Sequence, residues 1–314
     1  MKFLGLLLLL FPFQLLCQDI NPQNIQIVRD KWGVPHIFAK TDAEAAYGLA
    51  WAHAEDNFED IQTPLLAVRH LLAEVAGKEG ALLDVLSFLI KTDEIVQEQY
   101  ESTFSPKFKK ILRAYVQGIN QYAAKHPKEI RHKRLFPVNE QDVIKGYVLM
   151  MTLISNVHFD LARIFEDKLA TVDEQQVYAG SNGFAYAPSK TTTGKSYLIC
   201  NSHQPLTGHA AWYEVSIHSE EGWEFVGATF AGGITPFIGT NPNLGWTHCV
   251  NYNDYSDVFR LKMHPENKNQ YEVDGEWLAL EERILKLKVK LGFLKIPIKR
   301  KFYWSIYGLS LIHI

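Results

Sequence analysis

Residues 179–185 read Ala179-Gly180-Ser181-Asn182-Gly183-Phe184-Ala185, and the chain changes character across this stretch. Upstream the pattern is helical. Thr41-Asp42-Ala43-Glu44 is a capping box that starts a helix. Leu65 to Val75 is apolar at helical spacing. Ser105-Pro106 opens a helix that runs to Lys125 and stops before Pro127. Asn139 to about Lys168 reads as another, with Val143, Tyr147, Met150, Met151 and Ile154 on its apolar side. Downstream, Gly183–Ala187, Ser196–Cys200, Trp212–His218, Phe225–Thr229, Leu244–Val250 and Val258–Met263 read as strands separated by Gly and Asn turns. Asn24 to Ala39 alternates on either side of Gly33-Val34-Pro35 and predicts two further short strands. Short strands, a helical half and a strand-rich half are an α+β order, without the regular alternation of a doubly wound sheet. No internal repeat is visible.

The 314 residues carry 32 Lys and Arg against 35 Asp and Glu, a net charge of −3. That balance argues against a nucleic-acid binder held by phosphate contacts. With 47% hydrophobic and 21% charged residues the composition is globular and excludes a disordered, collagenous or coiled-coil chain. Ile284 to Lys290 alternates apolar residues with Lys, which reads as a strand with a solvated outer face.

Residues 1–17 read as a signal peptide: Lys2 supplies the positive charge, and Phe3 to Leu16 is almost wholly apolar but short for a bilayer span. The expectation is export to the periplasm or the extracellular space, with cleavage near Cys17 or Gln18 and no stable membrane span. Lipidation of Cys17 is the alternative, opposed by Leu16 where a small residue is usual. Export leaves Cys200 and Cys249, which are either a permitted disulfide or two inert thiols.

Several chemistries lack their motifs. There is no HExxH and no CxxC; His203 and His209 stand six apart and His248 stands alone, so zinc is unsupported. There is no GxGxxG, no Walker-type loop and no GxSxG elbow. A serine after a glycine, as at Ser181, is by itself ordinary turn chemistry, and spacing alone does not assign it to catalysis.

A set of ordered motifs does. Ser181-Asn182 is followed by Ala187-Pro188-Ser189-Lys190, Gly194-Lys195, Asn201-Ser202-His203-Gln204-Pro205, Gly239-Thr240-Asn241 and Leu244-Gly245-Trp246-Thr247-His248. Upstream stand Val28-Arg29-Asp30, Gly33-Val34-Pro35-His36-Ile37, Tyr47-Gly48 and Ala52-His53-Ala54-Glu55-Asp56. Together, from about Asn24 to Gly308, they resemble the penicillin acylase family of N-terminal nucleophile (Ntn) hydrolases, which includes penicillin, cephalosporin and acyl-homoserine-lactone acylases. The resemblance implies an αββα sandwich. It implies an exported zymogen that cuts itself between Gly180 and Ser181 into an α/β heterodimer, with residues 18–180 giving the helical chain and any spacer, and residues 181–308 beginning the Ntn core. Ser181 is then the nucleophile, and its new α-amine the base. The substrate implied is a small N-acyl amide with an apolar acyl group, an acyl-homoserine lactone or a β-lactam; no organic cofactor is implied.

Other roles carry over by position. His203 lies near the amine, and the Val250 backbone N–H is one oxyanion donor. Met150, Ile154, Gln204 and Ile238 fall at the acyl pocket, where Gln204 replaces a Phe of well-studied members and speaks against phenylacetyl specificity. Trp212 and Tyr213 either line the cleft or simply pack. Asp160, Asp254, the Ser256 carbonyl and Asp257 resemble a structural calcium site, hard oxygen donors suited to Ca²⁺; the alternative is a polar turn at Asn251-Tyr252-Asn253-Asp254.

The end of the chain departs from the family pattern. After Tyr303-Trp304-Ser305-Ile306-Tyr307-Gly308 members continue through proline into an apolar strand; here Leu309-Ser310-Leu311-Ile312-His313-Ile314 follows. Residues 309–314 read as a non-native tail, and the expectation is a sandwich incomplete at the C-terminus, with a second oxyanion donor (an Asn) missing and the fragment alone inactive. The rival reading is a secreted binding protein of the same fold without catalysis.

Overall fold

Local signals start most of the helices. The computed structural model describes residues 20–155, 180–250 and 257–310. Strands β1 (Gln26–Arg29) and β2 (Pro35–Ala39) form a hairpin whose turn is held by Asp30, which accepts from the Trp32 and Val34 N–H groups. Helix α1 (Asp42–Val68) opens with the expected capping box: Thr41 Oγ1 accepts from Glu44 N at 3.1 Å, and the Glu44 carboxylate accepts from Thr41 N at 3.0 Å. Helices α2 (Ala73–Leu89) and α3 (Thr92–Thr103) follow, then α4 (Pro106–Lys125), capped by Ser105, and α5 (Glu140–Ile154), opened by a second capping box between Asn139 and Asp142.

From Ser181 the described residues are strand and loop apart from one 3-10 turn, Pro188–Lys190: β3 (Ser181–Tyr186), β4 (Tyr197–Ser202), β5 (Trp212–Ser219), β6 (Glu224–Phe230), β7 (Ile238–Thr240), β8 (Gly245–Trp246), β9 (Gln270–Val273), β10 (Glu276–Ala279), β11 (Glu281–Leu291), β12 (Leu294–Ser305) and β13 (Gly308–Ser310). The α+β expectation is met. A six-stranded sheet runs β1-β2-β5-β6-β7-β8. Its β2–β5 pair is parallel, His36 to Ala39 against Ser216 to Ser219, so one sheet is built from both sides of Gly180. Ile37, Val215, Ile217 and Phe225 bury against Leu49, Leu66, Leu112 and Ile119 of the helical layer. Each such side chain contributes about 1.5–3 kcal/mol on burial. The helices themselves approach closely where α4 Gly118 faces α1: a Cβ there would lie 2.8 Å from Ala50 Cβ and from the Tyr47 carbonyl. The other face of the sheet leaves Val28, Phe38 and Val226 exposed. One helical layer and its sheet are therefore present; the described residues contain no second helical layer.

Hairpin β3–β4 pairs only with itself among the described residues and lies against the chain that follows β7. The ribbon β11–β12 packs Leu285, Leu287 and Val289 on α2 and turns Lys286, Lys288 and Lys290 outward, as the alternation predicts. Residues 309 and 310, expected to be non-native, extend β13 along β12.

Three expectations need correction. The helical stretch Leu65–Val75 is broken, because His70 takes a left-handed conformation (φ 53°) and α2 starts afresh at Ala73. Arg69 closes α1 by donating to the Pro137 carbonyl at 2.9 Å and to Asp142 at 2.6 Å. Leu244–Val250 pairs only over β8, and Val258–Met263 contributes a single bridge, Met263 to Tyr271, because an alternating pattern forms a strand only where a partner edge is free. The segments 1–17 and 156–168 lie outside the described residues. Among those described, no helix is long and apolar enough to cross a membrane.

Candidate functional site

Ser181 is the first residue of β3 and stands opposite Ser202, the last residue of β4. The register brings His203 beside it. Gly180 O accepts two hydrogen bonds, from Ser181 Oγ at 2.7 Å and from the His203 backbone N–H at 3.2 Å. The imidazole of His203 sits against Gly180: a Cβ at 180 would lie 3.2 Å from Nδ1. Asn182 Nδ2 stands 3.4 Å from His203 Nε2, on the far side of the ring. Ser181 and Gly180 are half-buried and His203 is exposed. A nucleophilic oxygen, the carbonyl next to it, a donor to that carbonyl's oxygen and an imidazole thus share one strand end. The chemistry such a group supports is acyl transfer, in which charge develops on the carbonyl oxygen where the N–H already points.

The segment after β8 runs along this hairpin. Gly245 lies against Leu198, and a Cβ on Gly183 would lie 2.7 Å from Thr247 Cγ2 and 3.6 Å from Cys249 Sγ. Successive odd-numbered residues thus step along the hairpin toward the Ser181 end, and Val250 follows directly. Thr247 Oγ1 is buried with no hydrogen-bond partner among the described residues.

The expected pocket residues are spread. Gln204 is half-buried next to His203. Ile238 lies in β7 opposite Ala228. Met150 lines a narrow crevice with Pro64, Leu83 and His209, and Ile154 is exposed on the last turn of α5. Trp212 stacks on Phe230 with centroids 4.3 Å apart. Asp160, Asp254 and Ser256 lie outside the described residues; Asp257 is exposed. Cys200 and Cys249 are both free thiols and exposed.

One group was only a motif in the sequence. His53 and Asp56, three apart on α1, face β5 and β6. The His53 ring is fully buried, with Nδ1 2.8 Å from Tyr115 Oη and Nε2 2.9 Å from Thr229 Oγ1. Burial drives its pKa from 6.5 down to about 3, so the ring is neutral. Tyr213 Oη donates to Asp56 at 2.6 Å, and Arg29 donates to Asp56 at 2.9 Å and to Glu55 at 3.1 Å. Burial, then the bond to Asp56, raises the Tyr213 pKa well above the phenol range. Tyr213 therefore packs, and the cluster clamps the helical half to the strands beyond Gly180. The i, i+3 spacing of His53 and Asp56 was the available signal.

Comparison with known proteins finds a family model and several relatives. The family model described as penicillin amidase matches residues 24–311. An acyl-homoserine lactone acylase PvdQ of Pseudomonas fluorescens is 25% identical over 322 residues, covering 90% of this chain and 40% of that protein. The PvdQ of Pseudomonas putida is 25% identical over 315 residues, with coverages of 91% and 41%. An acyl-homoserine lactone acylase QuiP of Pseudomonas aeruginosa is 22% identical over 316 residues, with coverages of 83% and 37%. The chain thus spans about two fifths of the length of these relatives. A solved thermostable penicillin G acylase from Alcaligenes faecalis aligns over 46% of this chain and 74% of its own, at 21% identity and a TM-score of 0.34.

Proposed function

The chain belongs to the penicillin amidase family, and from that premise we propose that the whole protein is an exported, self-processing amidohydrolase acting on N-acyl amides. The observation that carries this reading is the 2.7 Å hydrogen bond from Ser181 Oγ to Gly180 O, an oxygen that also accepts from His203 N–H. In processing, Ser181 Oγ attacks the Gly180 carbonyl carbon and its proton goes to the departing Ser181 nitrogen. The His203 N–H donates to the developing oxyanion. The C–N bond breaks to leave an ester, and water hydrolyses it to a Gly180 carboxylate and a free Ser181 α-amine. An α-amine ordinarily has a pKa of about 7.7–8.0, suited to base work near neutrality. It takes the hydroxyl proton through a water, the hydroxyl attacks the substrate acyl carbon, the amine product leaves, and a second water hydrolyses the acyl-enzyme. The Val250 N–H serves as an oxyanion donor in that cycle.

Acyl-homoserine lactones are the proposed substrates, supported by the activity named for the curated relatives. The two product chains are proposed to remain together, because β2 from one pairs with β5 from the other. Calcium is proposed as a structural ion held by Asp160, Asp254, the Ser256 carbonyl and Asp257; carboxylate and carbonyl oxygens are the donors it takes. Removal by chelation is expected to lower the Tm of the whole protein, with the ion counted by elemental analysis.

The deciding experiment uses the whole-length protein exported from its host. Intact mass should show two chains, the second beginning at Ser181, and homoserine lactone should be released from N-acyl substrates of graded chain length. Ser181→Ala should leave one uncut chain without turnover. Cleavage or turnover that survives Ser181→Ala defeats the proposal.

A further inference from the structure

Gly183 and Cys200 are directly opposed across hairpin β3–β4. Directly opposed residues send their side chains to the same face, with Cβ positions roughly 4.5–5.5 Å apart. Cys249 approaches that face from the segment after β8, its Sγ 3.6 Å from where a Gly183 Cβ would stand. Because residue 183 is glycine, the hairpin adds no side chain of its own there; Thr247 Cγ2, 2.7 Å from the same point, borders the space. Both thiols are free and exposed in this structure. The geometry points to a disulfide between Cys200 and Cys249.

Both side chains are thus placed against the one point where a Gly183 Cβ would stand. A disulfide needs Cα atoms about 4.4–6.8 Å apart and a change of rotamer that turns the two sulfurs toward each other. The bridge forms by exchange with a small-molecule or protein disulfide of an oxidising compartment. The Cys249 thiolate attacks one sulfur of that oxidant and releases its partner as a thiol. The Cys200 thiolate then attacks the mixed disulfide, displacing the second thiol. Two protons and two electrons leave the protein, and the oxidant ends as two thiols.

The bridge stands on this geometry alone, whereas its consequence at the site rests on the acylase reading. Cys200 lies three residues before His203, and Cys249 lies one before Val250. A covalent tie between them fixes the strand end carrying Ser181 and His203 against the backbone carrying the Val250 N–H. Cys200 and Cys249 are thus positioning residues for the oxyanion donor.

The test is a disulfide map of the whole-length protein, taken after equilibration with oxidised glutathione and digested in acid without reduction. The expected product is one linked peptide pair carrying Cys200 and Cys249, two hydrogens lighter than the reduced pair. Iodoacetamide labelling of both residues in that oxidised sample, or linkage of either to Cys17 or to another chain, overturns the bridge. Cys200→Ser, Cys249→Ser and the double variant should lower the Tm by the same amount as reducing the native protein, and the reductant should not shift the double variant. Additive losses that reductant does not reproduce also overturn it. The positioning role has its own readout: reducing the native protein should lower kcat for acyl hydrolysis at least several-fold while leaving the double variant's kcat unchanged. A mapped bridge whose reduction leaves kcat unchanged overturns that role alone.

Discussion

Ser181 Oγ donates a 2.7 Å hydrogen bond to the carbonyl oxygen of Gly180, the residue whose peptide bond it is proposed to cut. The contact is short because β3 begins at Ser181 and Gly180 remains outside the strand, with its carbonyl free for the His203 N–H. No side chain at 180 separates that carbonyl from the imidazole. Gly180→Ala introduces a Cβ 3.2 Å from His203 Nδ1, closer than ordinary contact, so the ring must shift. Gly180→Val adds two branches at the same place. Misplacement on the ångström scale costs on the order of 100-fold in rate. Processing of the whole-length protein, followed by intact mass against time, should slow modestly for Gly180→Ala and by about 100-fold for Gly180→Val. Equal rates for glycine and valine would show that the carbonyl's surroundings do not limit the cut.

His53 gives the chain an acid-sensitive core. Its pKa is about 3 in the folded state against an ordinary 6.5, so the unfolded state binds the proton first. The contribution of His53 to stability is therefore complete above about 6.5 and is lost as pH falls from there toward 3. The shift corresponds to about 5 kcal/mol at most. His53→Gln should cost about 1–3 kcal/mol at pH 8, through imperfect bonds to Tyr115 and Thr229. It should then lose less stability than the native chain between pH 7 and 4. Urea unfolding across that range is the measurement; parallel slopes for the two proteins would remove His53 as the cause.

Legibility in the sequence followed locality. The capping box at Thr41 and the helix starts at Ser105-Pro106 and Asn139 are set by side chains within three residues, and the structure has all three. Period-two alternation predicted β5, β6 and the outward lysines of β11. The parallel β2–β5 pair was not visible, because neither strand carries a local mark of the other. His53 could not declare its role, since its partners lie 62 and 176 positions away. Ser181 and His203 were legible only through ordered motifs; the hairpin register then brought them together. The break at His70 was hidden by an apolar pattern that continues through it, as burial on both sides of a turn looks like one helix.

Gly118 and Gly146 should respond to alanine with opposite signs. Both are in helices, where Gly→Ala ordinarily gains about 1 kcal/mol. At Gly118 the new Cβ meets the Tyr47 carbonyl and Ala50 Cβ, each at 2.8 Å, and backbone of α1 must move. Overpacking of this kind costs about 1–3 kcal/mol, so Gly118→Ala should be destabilising overall. At Gly146 the nearest atom is Pro64 Cβ at 3.8 Å, an ordinary contact, and the substitution should stabilise by up to about 1 kcal/mol. Chemical denaturation of the two variants settles the pair; a stabilised Gly118→Ala would mean that α1 and α4 pack less closely than they do here.

Asp84 caps a helix start from within the same helix. Gly77, at φ 65°, folds α2 back on itself, and Gly80 passes directly against the Leu72 carbonyl. This brings the Asp84 carboxyl to the N–H groups of Leu72 at 3.2 Å and Ala73 at 2.9 Å. Burial raises its pKa from 3.8 to about 7 despite those two bonds, with Glu74 adding to the rise. A raised folded-state pKa places the contribution to stability at low pH: it is complete below about 3.8 and is lost as pH climbs through about 7. The trend is opposite in sign to that of His53, so the two groups are separable by substitution. Asp84→Asn removes the ionisation but keeps only one carbonyl acceptor for two N–H groups, a loss of about 1 kcal/mol. The native chain should therefore be the more stable at pH 4.5, and Asp84→Asn the more stable at pH 8. Asp84→Ala, which satisfies neither N–H, should fall below Asp84→Asn at both. Thermal unfolding of the three proteins at those two pH values tests the crossing; an Asn variant that stays below the native chain at pH 8 would show that the carboxylate is stabilised in its charged form after all.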